Sequence, residues 1–200
     1  MSAAQTLDTR DRLVHTASDL IWERSFQATG VDEVCQRADA RKGSFYYYFK
    51  SKTDLAVAAI ESFWAMARAR LFDGVFGQEG SGLVQLEAFV DGMIGFQREV
   101  ADAKGGVLGC PFGNLGQEMA RQDEHIRTTL DAIFAEQRAY LEQTLDRAVA
   151  QGEIPEGDNA RRAENILALM QGAMLMTKVS NDLGAFERAR GAVLAIARGA

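Results

Sequence analysis

Residues 29–55 read TGVDEVCQRADARKGSFYYYFKSKTDL, and this stretch decides the fold of the chain. Its apolar spacing predicts a short helix over about 31–38, capped by Thr29 or Gly30. A turn at 38–40 follows, and then a second helix over about 41–49. Two short helices joined by a three-residue turn form a helix-turn-helix, whose second helix can enter the major groove of DNA.

The second of these helices begins with the side chains that a recognition helix needs. Small or polar residues at its N-terminal end would let the backbone approach the base edges. Phe45 and Phe49, four residues apart, are expected to share one face and to anchor the helix in the core. The four residues at the N-terminal end are Arg41, Lys42, Gly43 and Ser44.

The tyrosines of this helix would then point progressively outward. Exposed hydroxyls of Tyr46, Tyr47 and Tyr48 can donate to phosphates, and Lys50 and Lys52 can neutralise the phosphates. The alternative is that the three tyrosines are half-buried packing and that the lysines are solvated surface.

The charge of the chain is unevenly distributed, which removes an objection to DNA binding. The formal net charge is −6, but residues 1–55 carry eight Lys/Arg and eight Asp/Glu, so the remainder supplies the whole excess. Residues 41–52 contain four basic residues and no acidic one. A nucleic-acid interface needs a local basic footprint rather than a basic protein.

The rest of the chain is also expected to be helical. Ser51 and Asp54 predict a capping box at the start of a longer helix that reaches about residue 76. No segment alternates with period two, so we expect an all-α fold of about nine helices without a sheet. Helical spacing predicts the other helices over about 9–24, 83–103, 111–121, 123–151, 159–179 and 185–198.

Residues 9–56 closely resemble the N-terminal domain of the tetracycline-repressor (TetR) family. The family pattern is roughly T-x-V-x-x-I-A-x-x-A-G-V-S-x-G-x-x-Y-x-x-F-x-S-K-x-x-L. The matching residues are Thr29, Val31, Val34, Ala38, Gly43, Tyr46, Phe49, Ser51, Lys52 and Leu55, together with Ala17, Leu20, Ile21 and Phe26 in the first helix. The resemblance implies a helix-turn-helix DNA-binding domain at 1–56. It also implies a helical ligand-binding and dimerisation domain at 57–200, with the last two helices at the interface of a homodimer.

The resemblance also implies roles for single residues. Tyr46 and Lys52 correspond to phosphate contacts, and Thr29 corresponds to a contact with the DNA backbone. This sequence departs from the family at the turn, where Asp39 replaces glycine and must adopt left-handed geometry. It departs again at Gly30, Arg41 and Lys50. The DNA-contact residues predicted in all are Thr29, Arg41, Lys42, Gly43, Ser44, Tyr46, Tyr47, Lys50 and Lys52.

Residues 109–115 read GCPFGNL and resemble a G-C-x-x-G-N-L stretch of one TetR subgroup. Some members of that subgroup respond to electrophiles or to small carbonyl and unsaturated compounds. Cys110 precedes a predicted helix N-terminus, which can lower the pKa of a thiol, and Lys178 could add to that effect. Glu118 would oppose it. The alternative is that Cys110 only packs, as Cys35 is expected to do.

We expect an inducer pocket among the helices of residues 58–176, with a mostly apolar or aromatic ligand of modest size. The alternative for each lining residue is an ordinary place in the core. The predicted ligand-binding residues are Phe63, Phe89, Met93, Phe96, Cys110, Phe112, Asn114, Phe134, Met170 and Met174. The stripes expected at the dimer interface are Leu167, Met170 and Met174 on one helix and Phe186, Ala189 and Val193 on the next.

These observations favour a ligand-responsive DNA-binding transcriptional regulator that is not an enzyme, and the family resemblance implies a repressor. Because a dimer is twofold symmetric, the operator that the ligand releases should be pseudo-palindromic. The expected partners are operator DNA, a small inducer, apolar or electrophilic, and a second copy of the chain. No cofactor or metal is expected, since His15 and His125 lack ligand spacing. No apolar run is long enough to span a membrane, and two cysteines suit a reducing cytoplasm. Two alternatives stay open: a thiol enzyme using Cys110 and His125, and a dimeric scaffold that has lost DNA binding.

Overall fold

The computed structural model describes residues 8–199, which form nine helices and no strand. The expected all-α fold is therefore confirmed. The fourth helix, α4, begins as Lys52–Ala67, continues without a break through a π-helical segment at Arg68–Asp73, and ends in a last turn at Gly74–Phe76. The others are α1 (Thr9–Glu23), α2 (Val31–Arg37), α3 (Lys42–Tyr48), α5 (Gly82–Lys104), α6 (Pro111–Met119), α7 (Glu124–Ala150), α8 (Asn159–Ser180) and α9 (Gly184–Ala197).

The capping box expected before α4 is present. The Ser51 hydroxyl accepts a hydrogen bond from the Asp54 amide at 3.1 Å. The Asp54 carboxylate reaches back to the amide of Lys50, also at 3.1 Å, one residue earlier than in the usual box. Both bonds restrict the conformation of the residues that link α3 to α4.

The core of the helix-turn-helix is built from one face each of α1, α2 and α3 and from the start of α4. As the four-residue spacing predicts, Phe45 and Phe49 are buried in it. Cys35 lies in the same core, and its burial raises the pKa of the thiol. The buried members are Leu13, Val14, Ala17, Leu20, Val34, Cys35, Ala38, Phe45, Phe49, Leu55 and Ala59.

The turn between α2 and α3 survives the replacement of glycine. Asp39 adopts a left-handed conformation with φ of 48°, and the Ala40 amide donates to the Cys35 carbonyl at 2.9 Å. The side chain of Arg12 donates to the carbonyls of Ala38 and Asp39 at 2.9 and 3.3 Å. A residue of α1 therefore stabilises the turn, which no local pattern predicts.

Residues 8–65 form one compact unit together with Pro111–Asp131. Within this unit, Glu118 on α6 accepts hydrogen bonds from the backbone amides of Phe26 and Gln27, both at 2.8 Å. Thr53 on α4 donates to Asp123 at 2.9 Å. The division at residue 56 expected from the sequence does not anticipate that α6 packs with the helix-turn-helix.

Residues 66–110 and 132–199 form the second compact unit. Its core contains an aromatic cluster of Phe72, Phe76, Phe89 and Tyr140, and the Tyr140 hydroxyl donates to the Asp73 carboxylate. In this unit α8 packs along α9, and Arg190 on α9 pairs with Asp91 on α5 at 2.7 Å. Within residues 8–199, no helix is both long and apolar enough to cross a bilayer.

Candidate nucleic-acid interface

The outer face of α3 is strongly exposed although it carries aromatic residues. Tyr47 is 80% exposed and Tyr46 is 59% exposed, whereas Phe45 between the turn and these tyrosines is buried. The alternative of half-buried tyrosine packing therefore does not hold for Tyr46 and Tyr47. A helix with a fixed inner face and exposed phenols on its outer face has the arrangement that phosphate contacts need.

Gly43 lies at the exposed N-terminal end of α3, and nothing in the described protein requires a glycine there. A Cβ built on Gly43 would meet no atom within 4 Å. Its φ is not in the left-handed region, so the backbone conformation is open to other residues. The absence of a side chain therefore leaves room outside the protein, where a recognition helix approaches DNA.

Lys42 is held by an acidic residue of the preceding helix. Its ammonium lies 2.7 Å from the carboxylate of Asp32, and both side chains are largely exposed. This hydrogen bond raises the pKa of Lys42 above its usual value. The next acidic residue, Glu33, pairs instead with Arg24 and Arg37, at 3.0 and 2.9 Å.

The two lysines that follow α3 differ in environment. Lys50 is exposed, whereas Lys52 is half-buried with its ammonium 4.2 Å from the centre of the Phe26 ring. Burial lowers the pKa of Lys52, and the nearby charge of Glu118 opposes this shift. Both lysines follow α3 directly in the sequence, and Lys52 is the less accessible of the two.

Thr29 is the only buried residue among the predicted DNA contacts. It is only 2% exposed, and its hydroxyl donates to the Ser25 carbonyl at 2.7 Å. The N-cap of α2 is Gly30, and no side chain caps the helix. The Thr29 hydroxyl therefore stabilises the loop between α1 and α2, and the contact of Thr29 with the DNA backbone stays a prediction. Arg41 is exposed and Ser44 is half-buried at the start of α3, as a groove-facing position allows.

The predicted ligand-binding residues are divided between the two compact units. Phe63 and Phe112 meet at 5.4 Å between ring centres and line a small apolar cavity with Trp22 in the first unit. Phe89 belongs to the aromatic cluster of the second unit. The Arg70 guanidinium lies over the Phe96 ring, 5.7 Å from its centre. Met93, Phe96, Asn114 and Phe134 are half-buried, and Met170 and Met174 are buried.

Cys110 does not present the reachable thiol that an electrophile sensor needs. It is 8% exposed. The loop before it is held in place on two sides, since Gln97 of α5 donates to the Gly109 carbonyl at 3.4 Å and Asn181 accepts from the Val107 amide at 2.9 Å. The expectation of an accessible sensing thiol is therefore corrected for this conformation.

Five of the six apolar residues predicted for the dimer interface lie inside the protomer, and the sixth, Leu167, is half-buried. Met170, Met174, Phe186, Ala189 and Val193 are all buried within one chain, so they cannot be the exposed surface of an interface. The exposed apolar residues of α8 are instead Leu175, Met176 and Val179. This surface is called the α8 apolar face below.

Sequence patterns did not predict three contacts of the first compact unit: the pairing of Lys42 with Asp32, the contact of Arg12 with the turn, and the hydrogen bonds of Glu118. The first joins two helices, the second a helix and a turn, and the third a helix and a loop. The only signal in the sequence was the acidic first turn of α2, which the helix dipole also explains.

Comparison with known proteins agrees with this geometry. Residues 13–59 match the family described as bacterial regulatory proteins, tetR family, and residues 82–193 match the tetracyclin repressor-like C-terminal domain. The HTH-type transcriptional repressor NemR of Escherichia coli is 28% identical over 91% of this chain and 90% of its own length. The transcriptional regulator AcuR of Cereibacter sphaeroides is 32% identical over 84% of this chain and 75% of its own length. The crystal structure of reduced E. coli NemR aligns with a TM-score of 0.81, covering 93% of this chain and 95% of that one. The chain belongs to the TetR family of helix-turn-helix transcriptional regulators.

Proposed function

We propose that this regulator is a homodimeric repressor of the cytoplasm, without catalytic activity, which binds a pseudo-palindromic operator and releases it when a small molecule binds. The observation that carries the DNA-binding part is the outer face of α3. There Lys42, Tyr46 and Tyr47 are exposed around Gly43, while Phe45 is buried beneath them. Relatives named as transcriptional repressors and regulators support the same function.

The residues of α3 divide into two roles in this proposal. Tyr46, Lys50 and Lys52 bind phosphates and set the position of the helix, which gives affinity for any sequence. Arg41, Lys42, Ser44 and Tyr47 lie toward the major groove, where donor and acceptor patterns distinguish the base pairs. Because a twofold dimer presents two α3 helices, the operator has two half-sites about 34–36 Å apart.

We expect operator binding to depend steeply on salt and the two roles to separate in mutants. A dimer that contacts about 6–10 phosphates loses roughly 10³–10⁵ in affinity between about 50 and 200 mM salt. Lys52→Ala and Tyr46→Phe should weaken binding to all sequences alike, whereas Lys42→Ala and Ser44→Ala should change sequence preference. Fluorescence anisotropy measures this, with the DNA upstream of the protein's own gene and a random duplex of equal length. The assignment of α3 is wrong if the four variants bind both duplexes as the parent does.

Gly43 gives a test in which stability and DNA binding move in opposite directions. Gly43→Ala should raise the free energy of unfolding by up to about 1 kcal/mol, because alanine favours a helix and the new Cβ meets no protein atom. The same methyl group should weaken operator binding because it occupies the space between α3 and the bases. Urea denaturation and anisotropy are measured on the same preparation. Gly184→Ala on α9, whose Cβ would meet Asp182 and Arg188, is the comparison variant for an effect on DNA binding. Tighter operator binding by Gly43→Ala would contradict a close approach.

The inducer in this proposal is a small, mostly apolar molecule. The aromatic and methionine side chains of the second unit, among them Met93, Phe134 and Met170, support this class. Membership of the G-C-x-x-G-N-L subgroup is part of the proposal. An electrophilic inducer requires a conformation in which Cys110 becomes accessible. A screen for small molecules that release a labelled operator fragment, repeated with Cys110→Ser, tests both classes of inducer.

A further inference from the structure

The contact between Asp32 and Lys42 brings an acidic residue to the edge of the proposed DNA-binding surface. Asp32 lies in the first turn of α2 and Lys42 is the first residue of α3, so the pair joins the two helices of the helix-turn-helix. The oxygen-to-nitrogen distance is 2.7 Å. Because Glu33 is taken by Arg24 and Arg37, Asp32 alone of the two acidic residues in this turn contacts a predicted DNA-reading residue.

The fold has little need of this pair. Both side chains are largely exposed, and exposed ion pairs contribute little to stability. The buried residues Phe45 and Phe49 already hold α3 against the core. A carboxylate beside a DNA-binding surface also repels phosphates, so its presence weakens every contact that depends on charge alone.

The hydrogen bond to Asp32 restricts what Lys42 can reach. An unrestrained lysine carries a flexible four-carbon stem and can bind whichever phosphate is nearest. The Lys42 ammonium has three donors, so one can remain on Asp32 while the others reach the O6 and N7 acceptors of a guanine in the major groove. A phosphate contact away from the groove requires Lys42 to leave Asp32, which costs the existing hydrogen bond.

We propose that Asp32 is a positioning residue that keeps Lys42 on base edges and away from phosphates, and so determines the ratio of operator affinity to random-DNA affinity. The inference rests on the proposed function, since it needs α3 in the major groove. Asp32 acts in it through Lys42 and makes no contact with DNA itself.

The experiment compares Asp32→Asn with the parent on two 30-base-pair duplexes. One is the fragment that the parent selects from a random pool, and the other is a shuffled duplex of the same composition. Asp32→Asn should bind the shuffled duplex more tightly and the selected duplex no more tightly than the parent, so that the affinity ratio falls about tenfold. The salt slope on the shuffled duplex should steepen by about two, because Lys42 of each protomer gains a phosphate. In a Lys42→Met background, Asp32→Asn should leave the ratio unchanged.

Glu33→Gln is the matched control because it removes the same charge from the same turn of α2. It should leave the affinity ratio unchanged, and thermal melts should show that both variants fold. The inference is overturned if Asp32→Asn leaves the ratio unchanged or if Glu33→Gln lowers it equally. A fall in the ratio that persists in the Lys42→Met background also overturns it, because Asp32 would then read a base directly. If the parent selects no sequence, or Lys42→Met binds both duplexes like the parent, the proposed function fails first and the inference falls with it.

Discussion

Val179→Asp should convert the dimer to a monomer and remove operator binding. Val179 is 76% exposed on α8, and with Leu175 and Met176 it forms the α8 apolar face. Burying this face against a second copy removes apolar surface from water, and an aspartate there would be a buried charge without a partner. Because two linked half-site contacts gain about 10²–10⁴ in affinity over one, a monomer should lose about that factor.

Sedimentation velocity at micromolar concentration measures the first effect, and anisotropy on the operator fragment measures the second. Val84→Asp is the matched control, because Val84 is also a strongly exposed valine but lies on α5. It should remain a dimer with normal operator binding. A dimeric Val179→Asp protein together with a monomeric Val84→Asp protein would place the interface on α5 instead.

Phe45→Ala should be the most destabilising single substitution in α3. The ring is 1% exposed and lies 5.9 Å from the Phe49 ring centre, in the core that also holds Leu13 and Leu20. Truncation of a buried phenylalanine to alanine costs about 3–5 kcal/mol, because transfer free energy is lost and a cavity remains. The helix-turn-helix should then unfold at lower urea concentration, and operator binding should be lost with it.

Tyr47→Ala provides the comparison two residues along the same helix. Because Tyr47 is largely exposed, its removal should change the free energy of unfolding by no more than about 0.5 kcal/mol. Its operator affinity should nevertheless fall. Urea titrations followed by circular dichroism separate the two variants. Equal destabilisation by both substitutions would mean that the two faces of α3 are not divided as described.

Local patterns in the sequence predicted most of the structure of the helix-turn-helix. The capping box at Ser51 and Asp54, the left-handed Asp39 and the inward pair Phe45 and Phe49 each depend on residues within four positions of one another. Such interactions follow from helix geometry alone. The outward direction of Tyr46 and Tyr47 follows once the inner face is fixed.

Contacts between distant residues could not be predicted in this way. Glu118 accepts hydrogen bonds from the amides of Phe26 and Gln27 across 91–92 residues of sequence. The Thr29 hydroxyl donates to the Ser25 carbonyl, only four residues away, but the burial of the Thr29 side chain depends on the surrounding fold. An exposed threonine before a helix and a buried one have the same local sequence. The burial of Cys110 likewise depends on α5 and on the residue after α8, which hold its loop.

The apolar faces of α8 show a second limit. Helical spacing marks Met170, Met174 and Val179 equally as apolar positions. It does not say whether the neighbour is another helix of the same chain or a second chain. In the folded unit Met170 and Met174 are buried and Val179 is exposed, and only the three-dimensional structure distinguishes the two cases.

The two backbone amides held by Glu118 have a use as a reporter. An amide hydrogen bonded to a carboxylate exchanges slowly with deuterated water, and it exchanges faster when its acceptor moves away. Phe26 and Gln27 belong to the loop before α2, whereas Glu118 belongs to α6. The exchange rates of these two amide hydrogens therefore report how often the contact between α6 and the loop opens. Hydrogen exchange at two neighbouring peptide groups can therefore follow α6 in the protein alone, before either its operator or its inducer is known.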